Sequence, residues 1–243
     1  TFYSRSTGTV AIGMDALTAI TTGSANVAIG YTALTSCSTG GSNIAIGDTA
    51  LEDIVSGGAN VAIGRNAGKE MGAAENGNIL IGMAAGQSLD EGTNGTIDDN
   101  IVIGKDAFIG ADLGTGSVAV NRNIAIGTNS LNSTAGNAQL GTIAIGYDAL
   151  TALTSGANNV AIGYQAADAL TTGGTNTVVG NSAFSAANGT ESSNTAIGYN
   201  AMADADHDDA DNNVVIGAYA GDEIGANAFA NSVAIGYAAI SSV

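Results

Sequence analysis

Asn26-Val27-Ala28-Ile29-Gly30 is followed seventeen residues later by Asn43-Ile44-Ala45-Ile46-Gly47, and again by Asn60-Val61-Ala62-Ile63-Gly64. Reading these three stretches together decides the fold. The closing glycine recurs at 13, 30, 47, 64, 82, 104, 127, 146, 163, 180, 198, 217 and 236, thirteen times at spacings of 17 to 23 residues. A period this short that tolerates insertions marks a stack of equivalent coils, in which each unit buries its apolar face only against its neighbours. The array runs from about Thr9 to Val243 without a composition break, so 1–243 reads as a single repeat domain.

Aligned on the glycine, the columns are uniform. The residue before it is Ile twelve times and Val179 once; three before it stands Val or Ile, with Thr177 and Thr195 as exceptions. β-Branched residues alternating with the residue between them are the period-2 signature of a short strand. The middle position is Ala at 11, 28, 45, 62, 125, 144, 161, 196 and 234, and otherwise Leu80, Val102, Val178 or Val215. A strand apolar on both faces is expected to have both covered. Val and Ile are therefore assigned to the coil interior, and the column of Ala11, Ala28, Ala45, Ala62, Ala125, Ala144, Ala161, Ala196 and Ala234 to a chain–chain interface.

Past the glycine, the third residue is Ala in all repeats but one (Ser130), and the fourth is often large: Leu17, Leu34, Leu51, Phe108, Leu131, Leu150, Phe184, Met202, Ile240. A second short strand is expected to carry these inward, together with the seventh position (Ile20, Cys37, Ile54, Leu153, Leu170 and Val243). Cys37 thus fills an apolar slot, and as the only cysteine it cannot form an intramolecular disulfide. The recurrent glycine reads as a corner needing positive φ or close backbone approach. Gly64-Arg65-Asn66-Ala67-Gly68-Lys69 has the wrong spacing for a nucleotide loop.

Asn stands four residues before the glycine at 26, 43, 60, 78, 100, 123, 159, 176, 194 and 213. At the strand spacing of about 4.8 Å, Asn26, Asn43, Asn60, Asn78, Asn100, Asn123, Asn159, Asn176, Asn194 and Asn213 should form an amide ladder. Tyr31, Tyr147, Tyr164, Tyr199 and Tyr237 directly follow their glycines and are expected to stack in part. A receptor-contacting stripe is the alternative.

These residues resemble the head repeats of YadA-type trimeric autotransporter adhesins, which share the Val-Ala-Ile-Gly core. They are similar also to the Asn-x-Ala-Ile-Gly-x-x-Ala-Leu repeats of phage tail fibres and secreted bacterial surface proteins. The resemblance covers nearly the whole chain. It implies an all-β fold, a parallel β-solenoid or β-roll of about thirteen coils, left-handed, with three chains around a common axis. These coils are longer than the adhesin repeat and carry an extra large residue after Ala. The sequence shows no heptad stalk, membrane anchor or chaperone domain.

Twenty-two acids against five bases give a formal charge of −17. That disfavours nucleic acid and anionic membranes as partners, and no apolar run reaches the length of a membrane span. No acid falls between the Asn and the Gly of any repeat, so the charge is expected outside the coils. The longest connections, with Asp90, Glu91, Thr93 and Asn94, then Asp112 and Thr115, are the candidate receptor loops. Asp204, Asp206 and Asp208 resemble the opening of a calcium loop but lack its glycine and closing glutamate, and an acidic solvated loop is the competing reading. His207 is the sole histidine, which leaves a zinc site without a partner histidine or cysteine, and no Ser/His/Asp spacing sits in a strand–turn–helix context.

No enzyme and no obligatory cofactor are therefore expected. The leading functional expectation is an extracellular structural or adhesion module, at a cell surface or on a virion fibre, in which homotrimers present loops to a receptor. The alternative is a filament subunit stacked head to tail through uncapped solenoid ends. Ice or flat-crystal binding through the Ala face is a third reading. Thr1 in place of a starting Met suggests a processed or excised segment.

Overall fold

The computed structural model describes residues 7–72, 74–89, 96–110, 119–132, 139–205, 210–222 and 230–240. Among them there is no helix, and the protein is a parallel β-solenoid. Its chain divides into two compact units, Thr1–Asn123 and Ile124–Val243. The first contains β1 (Val10–Ile12), β2 (Val27–Ile29), β3 (Ile44–Ile46), β4 (Val61–Ile63), β5 (Ile79–Ile81), β6 (Ile101–Ile103) and β7 (Val120–Asn121). The second contains β8 (Ile124–Ile126), β9 (Gln139–Leu140), β10 (Ile143–Ile145), β11 (Val160–Ile162), β12 (Thr177–Val179), β13 (Thr195–Ile197), β14 (Val214–Ile216) and β15 (Val233–Ile235).

Within each unit every three-residue strand pairs in parallel with the strand of the next coil, without a register shift. Val27, Ala28 and Ile29 lie beside Ile44, Ala45 and Ile46, and Ile143, Ala144 and Ile145 beside Val160, Ala161 and Ile162. At the ends of each strand, Val27 N donates to Asn43 O and Gly47 N donates to Ile29 O, both at 2.8 Å. Three residues suffice as a strand because each is hydrogen-bonded from both sides by its neighbouring coils.

The strand faces are the reverse of the sequence expectation. Ala28, Ala45, Ala62, Ala125, Ala144, Ala161 and Ala196 are fully buried, and Ala234 is nearly so, inside the single chain; Ala11, in the first strand, is half-buried. They line the coil interior and cannot be a chain–chain interface. Val and Ile point outward, half-buried or exposed along both units. The reason is volume. The space facing the strand is filled from the fourth position after the glycine: Leu34, Leu51, Phe108, Leu131, Leu150, Phe184 and Met202 are all fully buried. The strand residue that faces them is Ala, or Val at Val102 and Val178.

Coil five shows the exchange directly. Leu80 replaces Ala there, and the fourth position is glycine both at Gly68 and at Gly86. A Cβ on Gly68 would lie 2.5 Å from Leu80 Cδ1, and one on Gly86 would lie 2.9 Å from Leu80 Cδ2. Val215 is likewise paired in its coil with glycine at the fourth position, Gly221.

These large residues are carried by turns rather than by a second strand. Ala50 N donates to Gly47 O at 3.4 Å, Thr35 N to Thr32 O at 3.1 Å, and Cys37 N to Leu34 O at 3.2 Å, so consecutive β-turns follow the glycine corner. Their second and fourth residues after the glycine have positive φ throughout, as at Thr32 (49°), Leu34 (53°), Thr49 (56°) and Leu51 (49°). The residue just before each buried Asn does the same, as at Ala25 (57°), Ala59 (57°) and Asp99 (59°). The glycine corner itself sits at φ of 131° to 147°. At Gly47 an added Cβ would also overlap the carbonyl oxygen of Gly64, so glycine is required twice over.

The Asn column is a hydrogen-bonded ladder, each member at most 1% exposed. Asn60 Oδ1 accepts from Asn78 N at 3.0 Å and from Asn78 Nδ2 at 3.1 Å, while Asn60 Nδ2 donates to Asn43 Oδ1 at 3.1 Å and to Glu75 O at 2.7 Å. The same pattern joins Asn78, Asn100 and Asn123, and Asn159, Asn176, Asn194 and Asn213. Each amide therefore ties both its neighbour and the wall of the next coil, at the carbonyl of the residue three before that coil's ladder Asn. A second ladder runs beside it in the polar coils: Gly58 N donates to Asn76 Oδ1, Asn76 N to Asp98 Oδ1 and Asp98 N to Asn121 Oδ1, at 2.8–2.9 Å.

Two acids lie inside, against the expectation that charge decorates only the exterior. Glu75 is 2% and Glu191 0% exposed. Both stand three residues before a ladder Asn, where other coils place Gly40, Gly57 or Gly173, and both lend their backbone carbonyl to the ladder.

Candidate interaction surface

The outward Val and Ile of each strand form two parallel columns, and these are the most conspicuous surface in either unit. Ile44 and Ile79 are 36% exposed, Ile63 37% and Ile162 38%, rising to 65% at Val233 and 66% at Ile235. β-Branched side chains favour the pleated strand, which explains why they are here but not why they face water. A contiguous apolar strip repeated on every coil marks a contact site far more than scattered exposed residues do.

Two further columns border the strip. On one side stands the residue directly after each glycine: Met14, Tyr31, Asp48, Arg65, Met83 and Lys105 in the first unit, with Tyr147, Tyr164, Tyr199 and Tyr237 prominent in the second. On the other stands the positive-φ residue before each ladder position: Ala25, Ser42, Ala59, Gly77, Asp99 and Arg122 in the first unit, Gly141, Asn158, Thr175, Ser193 and Asn212 in the second. The borders differ in chemistry. In the first unit they hold Arg65, Lys105 and Arg122, three of the five basic residues in the chain, with Asp48 and Asp99. In the second they hold no charge, and aromatic rings dominate. Tyr147 and Tyr164 stack with centroids 5.3 Å apart and planes 10° apart. Tyr219, at a positive-φ turn position, bridges Tyr199 and Tyr237 edge-on at 5.2 and 5.9 Å. Partial desolvation, followed by the neighbouring Tyr199, pushes its hydroxyl pKa up.

The other residues singled out from the sequence are placed as follows. Cys37 is buried, its thiol 3.6 Å from Gly40 O, and burial pushes its pKa up, which disfavours the reactive thiolate. Asp204 is exposed; Asp206, His207 and Asp208 lie outside the described residues, and no group of three or more His, Cys, Asp or Glu suited to a metal occurs among the described ones. The proposed receptor loops, Asp90, Glu91, Thr93, Asn94, Asp112 and Thr115, also lie outside them. Asp168 carries a raised pKa, chiefly through burial and then through nearby Asp148.

The sequence held one signal for the direction of the strands. Polar residues are tolerated three before the glycine, at Thr177 and Thr195, but never two before it. A column that admits Thr faces out; one that admits only Ala, Val and Leu faces in.

Comparison with protein-family models, with curated proteins and with solved structures returned no match to this chain.

Proposed function

We propose that this chain is a non-enzymatic structural module that assembles with copies of itself through the Val/Ile strip, as part of an extracellular adhesive or fibrous surface structure. The observation that carries this reading is the outward column pair of β-branched residues on coil after coil, bordered by Tyr and Arg. Those residue types are enriched at interface hot spots, while charge is depleted at interface centres. At about 3.3 Å per residue and about 4.8 Å per strand, the strip with its borders covers roughly 600 Å² over the six coils of the first unit. That is near the ~800 Å² per partner of a standard interface. Adhesion is favoured over catalysis because a solenoid repeats one small-residue coil, and among the described residues no acid, base and nucleophile converge on a cleft.

Sedimentation velocity at micromolar concentration tests the reading. The natural chain is expected to run as a discrete oligomer, and Ile46→Asp/Ile63→Asp to run as a monomer with unchanged far-UV circular dichroism. A natural chain that sediments as a monomer overturns it.

A further inference from the structure

We propose that Tyr147 and Tyr164 are a site of oxidative cross-linking, where a haem peroxidase acting with hydrogen peroxide joins two consecutive coils of one chain through their rings. Both rings belong to the same chain, so the inference stands apart from the self-assembly reading.

The column that carries them does not demand aromatic residues. Met, Asp, Arg, Lys, Thr, Asn and Ala all occupy it in other coils. Tyr31 stands between Met14 and Asp48, and Tyr199 between Asn181 and Ala218, so this column places Tyr on consecutive coils only at Tyr147 and Tyr164. The backbone then fixes their separation. Ile143, Ala144 and Ile145 pair in register with Val160, Ala161 and Ile162, and Gln165 N donates to Tyr147 O at 2.9 Å. Equivalent positions on neighbouring strands lie about 4.8 Å apart. The two rings stack across that gap, with centroids 5.3 Å apart and planes 10° apart. Tyr147 is 45% and Tyr164 49% exposed, so an oxidant in solvent reaches both.

That geometry suits radical coupling. Each phenol gives one electron and its hydroxyl proton to the oxidant, which leaves unpaired density in the ring π system, large at the carbons ortho to oxygen. In near-parallel rings those lobes point at one another across the gap. A carbon–carbon bond forms between one ortho carbon of each ring, and the hydrogens on these two carbons move to the oxygens, restoring both phenols. Two C–H bonds are thereby replaced by one C–C bond, while the two electrons and two protons reduce one peroxide to two waters. The other tyrosine cluster is arranged differently. Tyr219 meets Tyr199 and Tyr237 with planes at 74°, so one ring presents its rim to the other and the π lobes do not face. A joint between Tyr147 and Tyr164 closes a loop of one coil and, like a disulfide, takes conformational freedom from the unfolded chain.

The test treats the natural full chain with a haem peroxidase and hydrogen peroxide. Cleavage before Asp112, Asp148 and Asp168 puts Tyr147 and Tyr164 in separate peptides, and cleavage before Asp204, Asp211 and Asp222 parts Tyr199, Tyr219 and Tyr237. After oxidation the 112–147 and 148–167 peptides are expected to stay joined, lighter by two hydrogens than their sum and carrying the blue fluorescence of coupled phenols. The oxidised protein is expected to run as one chain on a denaturing gel. Tyr147→Phe and Tyr164→Phe keep the stacked ring but lack the phenol, and each is expected to abolish the joint with an unchanged far-UV circular dichroism spectrum. Tyr219→Phe is expected to leave it intact. Unjoined 112–147 and 148–167 peptides after oxidation overturn the inference, as does a joint that forms first between Tyr219 and Tyr199 or Tyr237. A joint between Tyr147 and Tyr164 found only in species of two or more chains also overturns it, because the stacked pair lies within one chain.

Discussion

Ala59 is exposed, lies beside the ladder residue Asn60, and holds φ at 57°. In that conformation Cβ crowds the following carbonyl, at a cost of about 1–2 kcal/mol for an L-residue. Glycine escapes it, and the same column does contain glycine at Gly8, Gly77 and Gly141. Ala59→Gly is therefore expected to stabilise the protein by about 0.5–1 kcal/mol, against the usual penalty for adding a glycine. Urea denaturation followed by circular dichroism checks the sign. The strain is widespread: Thr32, Leu34, Thr49, Leu51 and their equivalents hold positive φ, and some are β-branched or bulky. What maintains it is the set of buried amides, each joined to the next coil and to a carbonyl of its wall. A buried polar group costs about 1–3 kcal/mol when its partner is removed, so leaving the ladder is the less favourable choice. The amides were legible in the sequence because one residue type recurs at one spacing. The left-handed positions were only partly legible. Asn and Asp mark several of them, at Asp15, Asn66, Asp106 and Asn129, and Gly68, Gly86 and Gly221 alternate with Leu in one column. Leu, Thr and Phe in the remaining coils carry no such signal, because there the tertiary stack sets the backbone.

At the scale of one coil, the interior is a fixed volume shared between two positions. Ala two before the glycine accompanies Leu or Met four after it, at Leu17, Leu34, Leu51, Leu131, Leu150 and Met202, and Val102 and Val178 accompany Phe108 and Phe184, whereas Leu80 accompanies Gly68 and Gly86. Leu80→Ala should leave a cavity and cost about 2–5 kcal/mol. Gly68→Leu alone should also destabilise, because its Cβ would lie 2.5 Å from Leu80 Cδ1, 2.9 Å from Leu51 Cδ2 and 2.9 Å from Met71 Sδ. At φ 58° the backbone of Gly68 already has the conformation that Leu34 and Leu51 adopt. Combining the two substitutions recreates the commoner coil, and most of the loss is expected to be recovered, with a coupling of about 2 kcal/mol. A double-mutant cycle by denaturant unfolding measures it, and simple additivity would refute shared volume. This exchange also shows why the strand faces were misread. Periodicity distinguishes one face from the other without saying which is inside. Two β-branched columns around an Ala look like a core until the turn is seen to deliver a Leu, Phe or Met into the same space.

At the scale of the whole molecule, assembly has to bring together chains that each carry a formal charge of −17. Within the strip the central columns are neutral, and most acids lie in turns and connections away from it. Their mutual repulsion therefore acts over distance, where salt screens it: the Debye length is about 30 Å at 0.01 M and about 8 Å at 0.15 M. Lys105 and Asp99 are opposite charges on the exposed borders of the strip, where ion pairs contribute about 0–1 kcal/mol. Burial of Val and Ile gains nothing from low salt. Long-range repulsion should thus outweigh border attraction, and self-association should strengthen as salt is added. The apparent dissociation constant is expected to fall about tenfold between 20 mM and 300 mM sodium chloride, as read by sedimentation velocity over a concentration series; this corresponds to roughly 1.4 kcal/mol. The opposite slope would mean that border ion pairs, rather than the apolar strip, hold the chains together. Lys105→Gln separates the two contributions, because it removes a cation from the border and leaves each chain one unit more negative in net charge. It should weaken assembly most at low salt and leave it nearly unchanged at 300 mM.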